Sequence, residues 1–291
     1  MSYKIAIVSG KGGTGKTTVA VNLFHELKIN NSKKVGLVDC DVEEPNDRLF
    51  LPGLSEYRRK EMSQMIPQID TDKCTFCKKC LDYCEFNAIL MIPHVRMAEV
   101  NGGLCHSCGA CSYICDQGAI SEVPEIIGEV VSFGNDEGGD LVEGRLKIGS
   151  PMQTLLIHQL KKEVDTKYDF LIYDAPPGTS CPVVATLTGM DFVVLVTEPT
   201  PFGLYDLKLT VELVKDMGLP YGVVVNKAGL GNNEVYDFLE QDNIELLGEI
   251  PFDKSYAASY AQGELLGSGT SNIREEFVAI TNKILRQKEC I

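Results

Sequence analysis

A glycine-rich stretch near the start of the chain, Gly10 to Thr18, reads GKGGTGKTT. It follows the apolar run Ile5 to Val8 and precedes a helical pattern over Val19 to Lys28. The stretch matches G-x-x-x-x-G-K-[ST], which between a strand and a helix predicts a phosphate-binding loop. A chance match in a glycine-rich turn is the alternative, and the flanking strand and helix argue against it. The fold must therefore place a buried strand directly before a helix.

The residue types of this stretch suit the phosphates of a nucleotide. Glycines allow positive φ, so that successive backbone N–H groups turn inward, and the helix start adds unpaired amides and its dipole. Lys16 supplies a point charge to the β- and γ-phosphates, and the Thr17 hydroxyl is a hard oxygen ligand for Mg²⁺. The predicted nucleotide-binding residues of the loop are Gly12, Gly13, Thr14, Gly15, Lys16, Thr17 and Thr18.

Strand and helix patterns alternate along the chain outside a cysteine-rich region. The predicted strands are Lys4–Gly10, Val35–Val38, Asp169–Tyr173, Phe192–Val196, Tyr221–Val225 and Leu246–Ile250. The predicted helices are Gly15–Lys28, Met152–Val164, Gly203–Met217 and Asn272–Gln287. This alternation predicts an α/β fold, a P-loop NTPase with a mostly parallel sheet flanked by helices.

Acidic side chains follow two of these strands. Asp39 and Asp41 come after the second strand, and Asp174 comes after the run Phe170 to Tyr173. Because the carboxyl ends of parallel strands face the crevice that holds the phosphate loop, these carboxylates are placed to meet Mg²⁺ and water. A carboxylate such as Asp174 is the usual second Mg²⁺ ligand of P-loop enzymes.

Most of the eleven cysteines lie in an internal repeat. Cys74–Ile89 reads CTFCKKCLDYCEFNAI, and Cys105–Ile120 reads CHSCGACSYICDQGAI. Each unit has the spacing C-x2-C-x2-C-x3-C, by which three thiolates hold one [4Fe-4S] cluster while the fourth serves the other. We therefore predict two [4Fe-4S] clusters, one on Cys74, Cys77, Cys80 and Cys115 and the other on Cys105, Cys108, Cys111 and Cys84.

Disulfides and zinc are the alternatives to this assignment. A nucleotide-binding chain in the cytosol keeps its thiols reduced, and zinc normally takes two short-spaced pairs. The region resembles the bacterial-type two-cluster ferredoxins, although Glu85 and Asp116 stand where proline usually follows the fourth cysteine. The resemblance implies an inserted α+β ferredoxin domain over residues 64–125, within a nucleotide-binding domain formed by residues 1–63 and 126–291.

Five segments together resemble the MinD/ParA family of P-loop ATPases, namely VSGKGGTGKTT, VDCD, YDAPPGT, VVVNKAG and EIPFD. The resemblance covers the chain outside the insertion. Together with the cysteine repeat it is similar to a ferredoxin-carrying group of the superfamily, whose relatives include the nitrogenase iron protein and the Mrp-type iron–sulfur carriers. It implies ATP and ADP as ligands rather than GTP, because Gly229 breaks the GTPase pattern N-K-x-D.

The resemblance also implies roles for individual residues. Lys11 matches the signature lysine that reaches across a dimer to the partner's nucleotide. Asp41 matches the residue that orients the attacking water, and Asp39 one that helps to hold Mg²⁺ through water. Lys11, Lys16 and Asp41 are thus the expected catalytic residues. The residues that match the family's adenine pocket are Asn226, Pro251, Phe252 and Asp253.

Charge and hydropathy limit the partners. A net charge of -14 opposes nucleic acids and anionic lipids. The compact basic cluster Arg58 to Lys60 is interpreted as a solvated helix face. No apolar run approaches the roughly 20 residues of a membrane helix, and the N-terminus lacks a signal-peptide pattern. We therefore expect a cytoplasmic protein that binds neither nucleic acid nor membrane.

Two further features are interpreted as packing. Cys40 and Cys181 lie outside the repeat and are expected to be small buried residues, the alternative being a shared cluster at a dimer seam, as in the nitrogenase iron protein. An apolar stripe on the last predicted helix favours core packing over membrane binding. Its members are Ile273, Phe277, Ile280 and Ile284.

The expected function is a Mg-ATP-driven cycle of dimer formation and switch movement. The dimer is a homodimer or a heterodimer with a related ATPase, and the cycle is coupled to electron transfer to, or metal-cluster assembly on, a client protein. The alternative is a MinD/ParA-type positioning ATPase, related to cell division, whose clusters are structural or sensory. No C-x-x-C pair follows Asn226, which counts against a simple carrier of the Mrp type.

Overall fold

The computed structural model describes residues 2–29, 33–134, 140–266 and 271–289, and the chain divides into two compact units. The first unit takes the chain up to Lys60, residues Val130–Arg145 and the chain from Gln153 onward. The second unit takes Glu61–Glu129 and Leu146–Met152. The glycine-rich loop therefore belongs to the first unit, and the cysteine repeat to the second.

Most of the described strands belong to one sheet. In chain order the strands are β1 (Tyr3–Val8), β2 (Val35–Asp39), β3 (Ser55–Ile69), β4 (Ile89–Ile92), β5 (Met97–Val100), β6 (Ile120–Gly134), β7 (Asp140–Leu146), β8 (Phe170–Asp174), β9 (Phe192–Thr197), β10 (Tyr221–Ala228) and β11 (Leu246–Pro251). Nine of these described strands form a sheet of order β11-β10-β9-β1-β8-β2-β7-β6-β3. Neighbouring strands from β11 through to β7 pair in parallel.

Helices connect the parallel strands. The described helices are α1 (Lys16–Ile29), α2 (Lys79–Asp82), α3 (Ala110–Ile114), α4 (Gln153–Glu163), α5 (Cys181–Leu187), α6 (Pro201–Asp216), α7 (Glu234–Gln241), α8 (Lys254–Ala261) and α9 (Ser271–Glu289). Helix α6 begins where Thr200 Oγ1 accepts a 3.0 Å hydrogen bond from the N–H of Gly203. The mostly parallel sheet flanked by helices confirms the expected α/β P-loop fold.

The core of the first unit lies between the sheet and its helices. Every residue of β9 is buried, as suits a central parallel strand. The predicted packing stripe of α9 is confirmed, because its four side chains are at most 1% exposed. Burial of each large apolar side chain contributes about 1.5–3 kcal/mol. Within the described ranges, we find no helix that combines the length and the apolar character needed to cross a bilayer.

The basic cluster Arg58 to Lys60 lies in a strand, so its interpretation as a helix face is wrong. These residues belong to β3, the last strand at one edge of the sheet. Arg58 and Lys60 contact the carboxylate of Glu163 at 2.5 and 2.6 Å. Charged side chains on an edge strand are a common protection against pairing with other chains, and here they hide the alternation that marks a strand.

The second unit has little regular structure. Strands β4 and β5 form an antiparallel hairpin, connected through a 3₁₀ turn at Pro93–Val95 and Arg96 at φ 52°. The short helices α2 and α3 follow the same cysteines in the two repeats. Two small clusters of side chains are buried here, and their members are Cys80, Ile89, Met91, Ala98 and Cys111, and Ile66, Ala88 and Cys105.

Candidate functional site

The glycine-rich loop joins β1 to α1. Gly13 and Gly15 adopt φ angles of 77° and 96°. A Cβ atom at Gly15 would lie 2.2 Å from Nδ2 of Asn226, so both the backbone conformation and the space require glycine. Lys16 begins the helix, whose first N–H groups have no partner within it. The loop thus has the features of an anion site at a helix N-terminus.

Side chains from β10 hold this loop in place. Asn226 Nδ2 donates a 2.7 Å hydrogen bond to the carbonyl of Thr14. Lys227 Nζ donates at 3.1 Å to the carbonyl of Gly13. The predicted adenine-reading residue, Asn226, therefore contacts the loop backbone directly.

A cavity with about 740 Å³ of empty space, part of it open to solvent, adjoins the loop. The predicted nucleotide-binding residues that line it are Gly13, Gly15, Thr18, Asn226, Pro251, Phe252 and Asp253. Tyr256, Tyr260 and Leu266 also line it and were not predicted. The two tyrosines lie four residues apart on α8, a helical spacing that could have indicated a shared face. Their rings add flat apolar surface of the kind on which a base stacks.

The residues predicted to bind Mg²⁺ lie together at the carboxyl edge of the sheet. Asp39 and Asp174 are paired in register at the ends of β2 and β8. Thr17 Oγ1 donates a 2.6 Å hydrogen bond to Asp174 Oδ2. Three backbone N–H groups of the segment after β2 donate to the Asp39 carboxylate at 2.8 to 3.1 Å. Thr17 and the two carboxylates thus provide the hard oxygen atoms that Mg²⁺ prefers.

Burial raises the pKa of both carboxyl groups. It raises the pKa of Asp174 to about 6, against the charge of Lys16 and the hydrogen bond from Thr17. Burial and the nearby Asp174 raise the pKa of Asp39 well above its ordinary value. A bound cation favours the ionised forms. In the described part of the chain, no three His, Cys, Asp or Glu side chains converge closely enough to hold one ion alone.

Asp41 lies in the same site, in the segment that follows β2. Burial raises the pKa of its carboxyl, and the charge of Lys16 opposes that shift. Lys16 is itself buried, at 8% exposure, and acts in the same sense on Asp174. The structure therefore brings together Lys16 and Asp41, two of the three residues expected to be catalytic.

Lys11, the third of these residues, pairs with an acid that was not predicted. Its Nζ lies 3.3 Å from Oε2 of Glu198, and Lys227 Nζ contacts Oε1 of the same carboxylate. Burial opposes the ionisation of Glu198, but its bonds to Lys227 and Lys11 leave its pKa below the ordinary value. Glu198 directly follows β9. The rule that identified Asp39 and Asp174, a carboxylate at the end of a parallel strand, would have found it.

Asp47 is a second residue that the sequence did not single out. It begins a 3₁₀ turn, is fully buried, and neither of its carboxylate oxygens has a hydrogen-bond partner among the described residues. Burial and the charges of Asp39 and Asp174 raise its pKa. It therefore adds a third buried carboxyl group beside the predicted Mg²⁺ ligands Asp39 and Asp174, and no local pattern distinguishes it from an ordinary turn residue.

Two cavities in the second unit are each lined by four cysteines. The first has about 330 Å³ of empty space, and its cysteines are Cys74, Cys77, Cys80 and Cys115. The second has about 360 Å³, and its cysteines are Cys84, Cys105, Cys108 and Cys111. The grouping is the one predicted from the spacing, three residues from one repeat and the fourth from the other. All ten described cysteines are free.

The backbone of the two repeats follows the same path. Matched positions adopt left-handed φ angles of 51° to 73°, and the pairs are Phe76 and Ser107, Lys78 and Gly109, and Asn87 and Gly118. The N–H groups of Phe76 and Ser107 donate to the sulfurs of Cys74 and Cys105, each at 3.4 Å. The two repeats therefore share their backbone conformation as well as their cysteine spacing.

The donor set of these cavities fits iron–sulfur clusters. Burial raises the pKa of the Cys80, Cys105 and Cys111 thiols, and binding to a metal is what makes such thiols ionise. N–H groups directed at sulfur stabilise the thiolate form. In a [4Fe-4S] cluster each of the four cysteine thiolates binds a different iron, so the cysteine sulfurs need not converge on one point.

Cys40 and Cys181, which were both expected to be buried, differ in their exposure to solvent. Cys40 is fully buried between Asp39 and Asp41, and burial raises the pKa of its thiol. This agrees with a packing role. Cys181 begins α5 and is exposed, so the expectation that it is buried is wrong. Because α5 was not predicted, the sequence could not place Cys181 at an exposed helix start.

Comparisons with known proteins bear on the family and on the fold of the chain. A model of the CobQ/CobB/MinD/ParA nucleotide-binding domain matches residues 5–266. An uncharacterized protein of Methanocaldococcus jannaschii is 31% identical over 89% of this chain and 90% of its own length. An iron–sulfur cluster carrier protein of Pyrococcus furiosus is 24% identical over 98% and 86%. The septum site-determining protein MinD of Pyrococcus horikoshii, solved with Mg-ADP, superposes with a TM-score of 0.60 at 22% identity, covering 98% of this chain and 96% of that chain.

Proposed function

The chain belongs to the CobQ/CobB/MinD/ParA nucleotide-binding family, and we propose that its ATPase cycle works together with two [4Fe-4S] clusters in the cytoplasm. Membership of the family confirms the expected class, a P-loop ATPase. One observation carries the rest of the proposal. A single chain has both the loop with its strand-end carboxylates and two cavities that are each lined by four cysteines.

In this proposal ATP or ADP binds with its phosphates in the loop and its base in the adjoining cavity. Mg²⁺ is held by Thr17, Asp39 and Asp174 and by the phosphates. Lys16 stabilises negative charge on the phosphates while Asp41 orients the attacking water. The burial of Lys16 and its closeness to Asp41 and Asp174 support these roles. The solved relative that binds Mg-ADP supports the choice of ligand.

ATP stabilises a dimer in this proposal, either of two copies or with a related ATPase. Lys11 then reaches the nucleotide of the other subunit. Hydrolysis removes the γ-phosphate and lets the segments after Asp41 and Asp174 move, which ends the dimeric state.

The clusters supply one-electron chemistry when they are bound, and their eight cysteines form two complete sets of four. Complete ligand sets favour electron transfer to a client protein over release of a cluster. The sequence after Asn226 contains Cys290 as its single cysteine, which counts against a simple carrier. Cluster assembly on a client is the second form of the proposal, and the relatives named iron–sulfur cluster carrier proteins support it.

Redox titration of the anaerobic, cluster-loaded protein tests this proposal. The reduction potentials of both clusters are followed by EPR without nucleotide, with Mg-ADP and with a non-hydrolysable ATP analogue. We expect the potentials or spectra to depend on the nucleotide in the wild type and not in Lys16→Ala. Two intact clusters that titrate identically in all three states exclude control of potential by nucleotide.

Cluster transfer then separates the remaining functions. Loss of cluster iron to an apo-ferredoxin acceptor, accelerated by ATP, indicates assembly on a client. Clusters that neither respond to nucleotide nor transfer leave the positioning ATPase with structural or sensory clusters, which the fold similarity to MinD supports.

A further inference from the structure

Glu198 connects three segments of the chain at the carboxyl edge of the sheet. It follows β9, and its two carboxylate oxygens contact different lysines, Lys11 of the glycine-rich loop and Lys227 of β10. Lys227 also donates to the carbonyl of Gly13. One carboxylate is therefore connected to the loop twice, directly through Lys11 and indirectly through Lys227.

The pair of Lys11 and Glu198 is partly shielded from solvent. The side chain of Glu198 is 11% exposed and that of Lys11 is 33% exposed. Pairs at this depth are screened less by salt than pairs on an open surface. Among the described residues, Glu198 is the one carboxylate within 4.0 Å of Lys11 Nζ.

The backbone around Glu198 is tightly packed. A Cβ atom at Gly231 would lie 1.4 Å from the carbonyl oxygen of Pro199, the next residue after Glu198. The N–H of Asn232 donates to the same oxygen at 3.1 Å. Thr197 Oγ1 donates at 3.0 Å to the carbonyl of Gly203. Glu198 is thus carried by a tightly packed segment, and Lys11 is the more exposed member of the pair.

We propose that Glu198 is a positioning residue that holds Lys11 against its own subunit until ATP-dependent dimerisation draws Lys11 to the other subunit. The inference rests on the proposed function, since it concerns the lysine expected to act across the dimer. A lysine held by Glu198 cannot reach a second nucleotide, so the pair must open first. Glu198 therefore sets the ATP concentration at which the dimer forms.

The first test measures the ion pair without any dimer. Trace acetylation of the full, nucleotide-free chain, quantified by mass spectrometry, gives the reactivity of Lys11 relative to the exposed Lys254. We expect Lys11 to react about threefold or more faster in Glu198→Gln than in the wild type. Lys254 is expected to react equally in both. Equal reactivity of Lys11 in the two proteins overturns the proposal, whatever the oligomeric state.

The second test measures the consequence for dimer formation. Sedimentation velocity across an ATP series gives the concentration for half-maximal dimerisation, which we expect to fall about threefold to tenfold in Glu198→Gln. Lys227→Met is the control for loosening of the loop, because it removes the contact with Glu198 and the hydrogen bond to Gly13 but keeps the pair of Glu198 with Lys11. If Lys227→Met lowers the ATP requirement equally, loosening of the loop explains the effect and the proposal is wrong. If the wild type stays monomeric with ATP, the proposed ATP-dependent dimer does not form and Glu198 cannot control it. The acetylation result would still show whether Glu198 holds Lys11.

Discussion

The nucleotide site and the cysteine cavities are assembled over very different sequence distances. The nucleotide site gathers the loop after β1, the ends of β2 and β8, two residues of β10 and the lining of a cavity that extends to Leu266. The eight cysteines all lie between Cys74 and Cys115. The first site is therefore a product of long-range strand pairing, and the second of a local repeat.

The two regions also differ in what supports them. Apolar, buried strands carry the nucleotide site, and β1 and β9 are examples. In the second unit Cys80, Cys105 and Cys111 are themselves members of the small buried clusters. We expect a unit with so few buried side chains to gain stability from what its cysteines bind. The nucleotide site is therefore expected to be preformed, and the cysteine cavities are expected to be stabilised by the proposed clusters.

Removal of iron is expected to separate the two regions most strongly. Cys80→Ser and Cys111→Ser, or preparation without iron, should accelerate amide hydrogen exchange in residues 61–129 by more than about a hundredfold, since metal-binding energy is folding energy there. Exchange in β1, β8 and β9 should not change. Cys181→Ser is the matched control, because Cys181 is exposed and outside both cavities. Slow exchange in the iron-free second unit would contradict the comparison.

Loss of Lys16 is expected to impair nucleotide binding without affecting the second unit. Lys16→Ala should weaken ATP binding by about a hundredfold or more, close to 3 kcal/mol, because the variant lacks the buried charge that is proposed to bind the phosphates. The visible absorbance of the clusters should stay intact. Isothermal titration calorimetry measures the affinity, with Lys28→Ala at the other end of α1 as the control. Unchanged affinity in Lys16→Ala would show that the loop does not bind the phosphates.

A methyl group tests how firmly the loop is preformed. Gly15→Ala should lower the free energy of unfolding of the nucleotide-free protein by about 1–3 kcal/mol, because alanine resists a φ of 96° and its Cβ would meet Asn226. Gly12→Ala is the control, since a Cβ there has no neighbour within 4 Å. Chemical denaturation measures both. An equal effect of the two variants would mean that the loop is not held by Asn226.

The pH dependence of stability is expected to show the smallest effect. The pKa of Asp174 is raised to about 6 in the folded chain from 3.8, so the folded form binds more protons between these values. Its contribution to stability is then full below pH 3.8 and is lost as the pH rises through 6. From pH 5 to 7.5 without Mg²⁺, the wild type should lose about 1 kcal/mol more unfolding free energy than Asp174→Asn. Saturating Mg²⁺ should reduce that difference. If the wild type and Asp174→Asn show parallel pH profiles without Mg²⁺, Asp174 is not the group that takes up the proton.

Several elements of the nucleotide site were predictable because their signals are local. The loop motif, the buried strands around it and the acids at the ends of β2 and β8 follow from residue order and spacing. Helix α8 and its two tyrosines were missed because their apolar positions are too few to mark a helix. Strand β3 was missed because the charges that protect a sheet edge replace its apolar alternation.

The sequence by itself determined the phosphate loop, the α/β alternation and the division of the cysteines into two sets of four, because each depends on spacing along the chain. The tertiary structure alone decided that Glu198 holds Lys11, that Asp47 is buried beside Asp39, and that Asn226 supports the loop. Those contacts depend on which strand ends become neighbours in the sheet. Strand order arises from the packing of the whole core, and no local pattern encodes it.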